Sequence, residues 1–366
     1  MIRSPGPTIL FVVDAPNWAH DYKTRSLQRT LGGEYQIRKR FQSEVTEADL
    51  DAADLILVYY WLQLDRLKHL EAAFMRNRRK LLVGVCSHFE LEGRWRDAGL
   101  DVLRRMARGV FANNLLLYHE IRPLVEVPVF YTPNGVDTDF FRPIADGLPP
   151  ARRETLRAEQ LQGTRSNGKG LLSSVRRALG KTISKAGAGG PAATTQLRVG
   201  WAGSLTNQGP NQRGVRDLIV PAIRAVKGAR LVLAAREKEW RGRDAMLEFY
   251  RSIDVYLCAS RTEGTPNPCL EAAACGVPVV TTRVGNMPEL IQNGINGLFV
   301  DRSVADITGK ISQLRDNPRL RDELGRGALA SIQAWDWKHQ AENYRSMFQA
   351  ALDGESLEMG VPPAGS

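Results

Sequence analysis

The sequence predicts an α/β protein built from two doubly wound parallel sheets. Three observations predict it. Short apolar runs alternate with amphipathic stretches along residues 1–145, and strand–helix–strand order means parallel strands joined by crossover helices. The alternation stops over residues 146–196 and resumes from residue 197. The chain has 366 residues, 43% hydrophobic and 25% charged, an ordinary globular composition at a length suited to two domains.

In the first domain, the runs at 9–13, 55–60, 81–86, 110–112 and 129–131 read as short buried strands. Residues 65–79 and 94–109 carry helical spacing, with Leu67, Leu70 and Phe74 on one face. Residues 146–196 are rich in Gly, Ala, Ser and basic residues and read as a linker or surface insertion. The net charge is +10, and residues 151–190 hold nine basic residues against Glu154 and Glu159, so most of the excess sits there. Within it, Leu172, Val175, Leu179 and Ile183 are spaced by threes and fours, with Arg176, Arg177, Lys181 and Lys185 on other faces. Residues 170–187 thus read as a basic amphipathic helix able to lie on an anionic membrane surface. The plainer reading is a charged linker.

The second domain, residues 197–334, repeats the pattern with strands at 198–201, 230–234, 255–259, 277–281 and 297–300, then a helix at 317–333. A last helix spans 335–353, and residues 354–366 form a tail. No apolar run approaches the ~18 residues of a membrane span. The run at 9–13 is a first strand and not a signal peptide. Cys86, Cys258, Cys269 and Cys275 lie in apolar segments without CxxC spacing, as buried reduced thiols do. These features point to the cytoplasm, with any membrane contact peripheral on the inner face.

The segment SRTEGTPNPCLEAAACG, residues 260–276, concentrates the chemistry. Asn267 is expected to cap a helix, Pro268 to occupy its first position and Gly276 to close it. That helix starts where a parallel strand ends, the place at which open α/β sheets bind ligands. Its N–H groups and dipole favour a phosphate. Glu263 and Glu271, eight residues apart, flank this site. Carboxylates beside an anion site suit the hydroxyls of two sugars, one on each side of a diphosphate.

This stretch resembles the Glu-x7-Glu motif of the retaining glycosyltransferases of family 4, which have the GT-B architecture of two Rossmann-like domains facing across a cleft. Four further stretches carry the resemblance. VPVFYTPNGVDTDFFRP (127–143) is similar to the segment that closes the family's first domain, with Pro133 to Asp137 and Phe141 to Pro143 in place. VGWAGSL (199–205) opens the second domain, and TTRVGNMPELIQNGINGLFV (281–300) follows the glutamate motif. The helix at 335–353 stands where GT-B enzymes cross back onto the first domain. The first 126 residues match in pattern only.

The resemblance implies an acceptor domain at 1–145 and a nucleotide-sugar donor domain at 197–334. It implies that Glu271 accepts hydrogen bonds from the nucleotide ribose and that Glu263 holds hydroxyls of the transferred sugar. Gly264, Thr265, Pro266 and Asn267 would lie along the sugar and diphosphate, and Gly203 and Ser204 at the turn opening the donor domain. Ser204 stands where the family has an arginine. Arg213, before Gly214, then becomes the candidate stabiliser of the leaving diphosphate, with Arg236 behind it. His88 stands where the family often has a histidine near the donor sugar. Asn17 and Trp18 replace the family's Gly-rich loop and would line the acceptor side. Asp137-Thr138-Asp139 spells D-x-D, but inside the 127–143 segment it suits a turn.

The activity implied is transfer from a UDP- or GDP-linked sugar to a glycan or lipid-linked acceptor in polysaccharide or glycolipid synthesis. No metal and no further cofactor are expected. Two rivals stay open. One is a degenerate module that binds nucleotide or glycan without transfer, favoured by Ser204. The other is a glycosyltransferase acting on nucleic acid or another polyanion, favoured by the basic segment and opposed by its lack of interleaved aromatics.

Overall fold

The computed structural model describes residues 6–144, 196–206, 209 and 211–353. The basic segment with its amphipathic stretch 170–187, and the tail from 354, lie outside the described residues. Six strands form the first sheet: β1 (Thr8–Val13), β2 (Gln36–Phe41), β3 (Leu55–Val58), β4 (Leu81–Val85), β5 (Gly109–Ala112) and β6 (Val129–Tyr131). Their order is β2-β1-β3-β4-β5-β6, all parallel. The second sheet holds β7 (Leu197–Gly203), β8 (Ala229–Ala235), β9 (Val255–Cys258), β10 (Val279–Thr281) and β11 (Gly297–Phe299). Its order is β11-β10-β9-β7-β8, again parallel. Among the described residues the helices of seven or more residues are α1 (Ala19–Leu31), α2 (Arg94–Met106), α3 (Leu115–Ile121), α4 (Arg243–Arg251), α5 (Asn267–Ala274), α6 (Val304–Asp316), α7 (Pro318–Ser331) and α8 (Trp337–Asp353). Every residue of β1, β3 and β4 is buried, as expected of parallel strands covered on both faces. Among the described residues, no helix is long and apolar enough to cross a membrane.

The structure corrects the sequence reading in three places. β2, QIRKRF, was not anticipated: it is an edge strand, half-buried, whose basic residues hide its two-residue period. α1 was not anticipated either, because Asp21, Lys23, Thr24 and Ser26 take buried positions where the pattern expects apolar side chains. The helix expected at 65–79 breaks into Leu62–Arg66, a tight turn at Lys68–Leu70 and Glu71–Arg76. Leu67, Leu70 and Phe74 still reach one core, so the apolar spacing survives the breaks.

The chain crosses between domains twice, and the two crossings pair. The Val136 N–H donates to Trp335 O (2.9 Å), and the Trp337 N–H donates to Val136 O (3.1 Å). Asp336 Oδ2 accepts from the Thr138 N–H (3.0 Å) and Oγ1 (2.7 Å). α8 then packs on the first domain, burying Ala341, Tyr344 and Phe348 against Phe11, Leu27 and Tyr59. The Tyr344 hydroxyl donates to Thr132 O at 2.7 Å.

Candidate active site

The strand C-terminal ends of the two sheets face each other, and the sequence fixes how closely. Asn114 Nδ2 donates to Gly264 O (3.0 Å), and the Leu115 N–H donates to Glu289 Oε1 (2.8 Å). The Tyr131 hydroxyl donates to the other oxygen of Glu289. Gly264 is indispensable here: a Cβ on it would lie 1.5 Å from Cys86 O. Gly285, at φ +54°, covers it from the other side. Gly264→Ala therefore forces the domains apart. Overpacking costs ~1–3 kcal/mol, so the melting temperature should fall by roughly 2–12 °C at ~2–4 °C per kcal/mol. Thermal unfolding checks this, and an unchanged midpoint contradicts the contact.

A cavity of about 800 Å³ separates the domains beside this contact. Its first-domain wall is the loop after β1 and the first turns of α1, and its second-domain wall gathers loops after β7 and β8 with the start of α5.

α5 starts one residue earlier than its sequence suggested. Asn267 is the first helical residue, Pro266 precedes it, and no side chain caps it. Asn267 Oδ1 instead accepts from Asn134 Nδ2 at 3.1 Å. The helix also lacks the bare N–H groups expected of it. The Asn267 N–H donates to Thr265 O (2.9 Å), the Cys269 N–H donates to Pro266 O (2.8 Å), and Pro268 has none. Positive charge for an anion must therefore come from side chains. Gly276, at φ +71°, closes the helix as expected, its N–H donating to Ala273 O at 2.9 Å.

Glu271 lies on the cavity wall. Burial pushes its carboxyl up to about 7, against the Tyr250 hydroxyl, which donates to it at 2.6 Å, and the nearby Arg243. Glu263 sits behind the wall. It is 8% exposed, accepts from Ser260 Oγ at 2.7 Å and forms an ion pair with Arg213. Arg213 does line the cavity. Burial lowers its pKa, and its Nε is buried without a hydrogen-bond partner. Gly214, at φ +66°, turns the chain directly after it.

The other residues singled out in the sequence divide. Asn17, Trp18, Gly203, Ser204 and Asn267 line the cavity, as does Arg236. Asn17 takes φ 60° and donates its N–H to Asp21 Oδ2 (2.8 Å). Arg236 stacks on Trp18 across the domains, 3.8 Å from the ring centroid, and faces Trp240 at 5.2 Å. Ser204 Oγ bonds to Glu237, which also accepts the Leu205 N–H at 2.9 Å. Gly264, Thr265 and Pro266 lie behind the wall with Glu263. His88 is not among the cavity residues: it opens a short turn, its Nε2 3.7 Å from Glu120, with its pKa lowered by burial. Asp137 is held by the N–H of Phe140 (3.1 Å), by Arg29 (3.0 Å) and by Arg243 (2.9 Å), and Asp139 pairs with Lys338 at 2.8 Å. The D-x-D run is thus spent on the crossing. Among the described residues no group of three or more His, Cys, Asp or Glu could hold a metal ion.

Sequence reading missed Lys23, Arg29, Trp240 and Arg243, all on the cavity wall. α1 and α4 carry three of these four side chains, and their place depends on the double crossing, which local pattern does not encode.

A family model described as glycosyl transferases group 1 matches residues 196–317. The match covers the second sheet and its helices α4 to α6 and stops short of half the chain. The D-inositol 3-phosphate glycosyltransferase of Arthrobacter sp. (strain FB24) is 35% identical over 120 residues, 31% of this chain and 28% of that protein. The namesake from Acidothermus cellulolyticus is 38% identical over 110 residues, 30% of this chain and 24% of its own. The chain thus spans about a quarter of the length of these curated relatives. The whole chain resembles solved structures. Anabaena Alr3699/HepE, in complex with UDP and glucose, aligns with a TM-score of 0.67 over 94% of this chain and 100% of that one, at 14% identity. Sucrose-phosphate synthase from Thermosynechococcus elongatus aligns with 0.67 over 96% of this chain and 100% of its own, at 13% identity. The architecture is GT-B, and the stretch that matches the group 1 glycosyl transferases lies in its second half.

Proposed function

We propose that the protein is a retaining glycosyltransferase that takes a UDP- or GDP-linked sugar and transfers it to a glycan or lipid-linked acceptor. The observation that carries this reading is Glu271, half-buried on the wall of the inter-domain cavity within the stretch that matches the group 1 glycosyl transferases. The UDP bound by the Anabaena neighbour and the names of the curated relatives support a nucleotide-sugar donor. In this reading Glu271 accepts from the ribose hydroxyls, and Arg213 neutralises the leaving diphosphate. Glu263 and Ser260 hold Arg213 in place. The anomeric C–O bond to phosphate breaks, the acceptor oxygen bonds to the same face, and its proton passes to the departing phosphate oxygen. The cavity carboxylates Asp137 and Glu239 are engaged with arginines, which leaves neither set up as a nucleophile. The basic composition of residues 151–190 supports a peripheral place on anionic lipid.

A thermal-shift panel of UDP, GDP, ADP and CDP, with Glu271→Ala alongside, tests the donor site. Ligand at 100 times its Kd adds ~2.7 kcal/mol, a rise of roughly 5–11 °C at ~2–4 °C per kcal/mol. One nucleotide should give that rise, and the variant should lose it. A flat panel overturns the reading. The rival of binding without transfer draws on Ser204, and a nucleotide shift with no sugar release from any matching donor selects it.

A further inference from the structure

Lys23 is the cation that donor chemistry leaves unused. It lies on α1, it is 2% exposed, and it lines the inter-domain cavity. Its Nζ sits 5.2 Å from the Tyr59 ring centroid and 5.1 Å from that of Tyr344. Among the described residues no hydrogen bond and no ion pair reaches it. Burial lowers its pKa to about 8, with the Cys86 thiol acting the other way, so the ammonium remains charged at neutral pH. A buried charge is normally paired, because removing it from water is costly, and two aromatic faces offset only part of that cost.

The neighbouring cations show that this is not the rule in the cavity. On the first-domain wall, Arg25 pairs with Asp21 (2.7 Å) and Arg29 with Asp137 (3.0 Å). On the second-domain wall, Arg213 pairs with Glu263, Arg243 with Asp137 (2.9 Å) and Arg241 with Glu239 (3.8 Å). Two cavity cations have no carboxylate among the described residues: Arg236, which stacks on Trp18 and belongs to the donor half, and Lys23. The donor diphosphate has Arg213 and Arg236 on its own side. Lys23 stands opposite, at the ends of β3 and β4 beside Tyr59 and Cys86, where an open parallel sheet binds its ligand. Each wall therefore holds its own uncompensated positive charge.

We propose that Lys23 is the anion-binding residue of the acceptor site, and that the acceptor is a sugar or polyol carrying a phosphate or carboxylate. The inference rests on the glycosyltransferase reading and names the acceptor class that the reading leaves open. Tyr22, on the same stretch of the cavity wall, supplies a hydroxyl on that side, whereas the Ser26 hydroxyl already donates to Tyr22 O at 3.0 Å.

The test separates donor from acceptor. The protein is first saturated with the nucleoside diphosphate that the panel selects. Inorganic phosphate, glucose 6-phosphate, glucuronate and neutral glucose are then titrated in turn at constant ionic strength. Wild type, Lys23→Met and Lys23→Arg are compared by thermal shift and calorimetry. At least one anion should add a further rise in wild type, and glucose should not. Lys23→Met should weaken that anion roughly 10–100-fold, and Lys23→Arg should retain most of the affinity. Response to the sugar phosphate alone assigns a phosphate, and response to glucuronate alone a carboxylate. Without anion, Lys23→Met should melt at or above wild type, since it removes an unpaired buried charge. Anions without effect on the nucleotide-bound protein overturn the inference and leave the donor site standing. So does an equal effect in Lys23→Met, or a methionine variant that melts well below wild type, which would make Lys23 a packing residue between Tyr59 and Tyr344. Should no nucleotide bind, the same titrations on the free protein decide the role of Lys23 apart from the donor reading.

Discussion

Replacing Arg213 with alanine should lower kcat by roughly 100–1,000-fold, the usual loss when one donor to developing charge is removed. Arg213 is on the cavity wall, while its partner Glu263 lies behind it, 8% exposed and fixed by Ser260. The first turn of α5 has spent its N–H groups on Thr265 and Pro266, so no helix terminus substitutes for the lost guanidinium. The same change strands a buried carboxylate. Breaking such a pair costs ~3–5 kcal/mol, or roughly 6–20 °C at ~2–4 °C per kcal/mol. The double variant Arg213→Met with Glu263→Gln removes both charges and should recover much of that stability without recovering turnover. Turnover within threefold of wild type in Arg213→Ala, measured below its melting range, would remove Arg213 from the reaction.

How much of this was legible follows from what each signal encodes. The five strands of the second domain are apolar runs bounded by turn residues, all but the edge strand β8 mostly buried, so each appears in the sequence within one or two residues of its place. The Glu-x7-Glu stretch is local, so α5 and its Gly276 stop were legible too. The layering of the two glutamates was not. Glu263 falls behind the wall because its loop carries Gly264 against Cys86 O and turns its carboxylate toward Arg213, a contact between segments 50 residues apart. β2 and α1 escaped notice for a related reason. Asp21, Lys23, Thr24 and Ser26 of α1 are buried and Lys39 of β2 is half-buried, Asp21 pairing with Lys39 across the two elements, and an apolar period therefore never forms. The first-domain wall was the least legible part because it is made of α1, whose sequence looks like an exposed helix until Lys23, Thr24 and Ser26 are seen to be covered.

Glu271→Gln should weaken nucleotide binding roughly 10–150-fold, the value of a charge-assisted hydrogen bond of ~1.5–3 kcal/mol, and should also remove the part of its pH dependence that this carboxyl carries. In the free protein the Glu271 carboxyl titrates near 7 because burial disfavours its charge. Ribose hydroxyls donate better to the carboxylate than to the acid, so wild-type affinity should climb about tenfold per unit below pH 7 and level off above it. Stability must run the other way. A glutamate whose folded pKa exceeds its unfolded one holds an extra proton in the native state between the two values, so its stabilising contribution is full below ~4.3 and is lost as pH rises through the folded pKa. Glu289, raised to about 7 by burial, and Glu90, raised to about 8, act with the same sign. Between pH 5 and 8 the free protein should thus melt at falling temperatures while it binds nucleotide ever more tightly. Glu289 sits at the domain contact with Tyr131 and Leu115 and not on the cavity wall. Glu289→Gln should therefore flatten part of the melting profile and leave the affinity slope intact, whereas Glu271→Gln should make that slope shallower. An affinity slope as steep in Glu271→Gln as in wild type would move the ribose contact to another group and take with it the assignment on which the donor site rests.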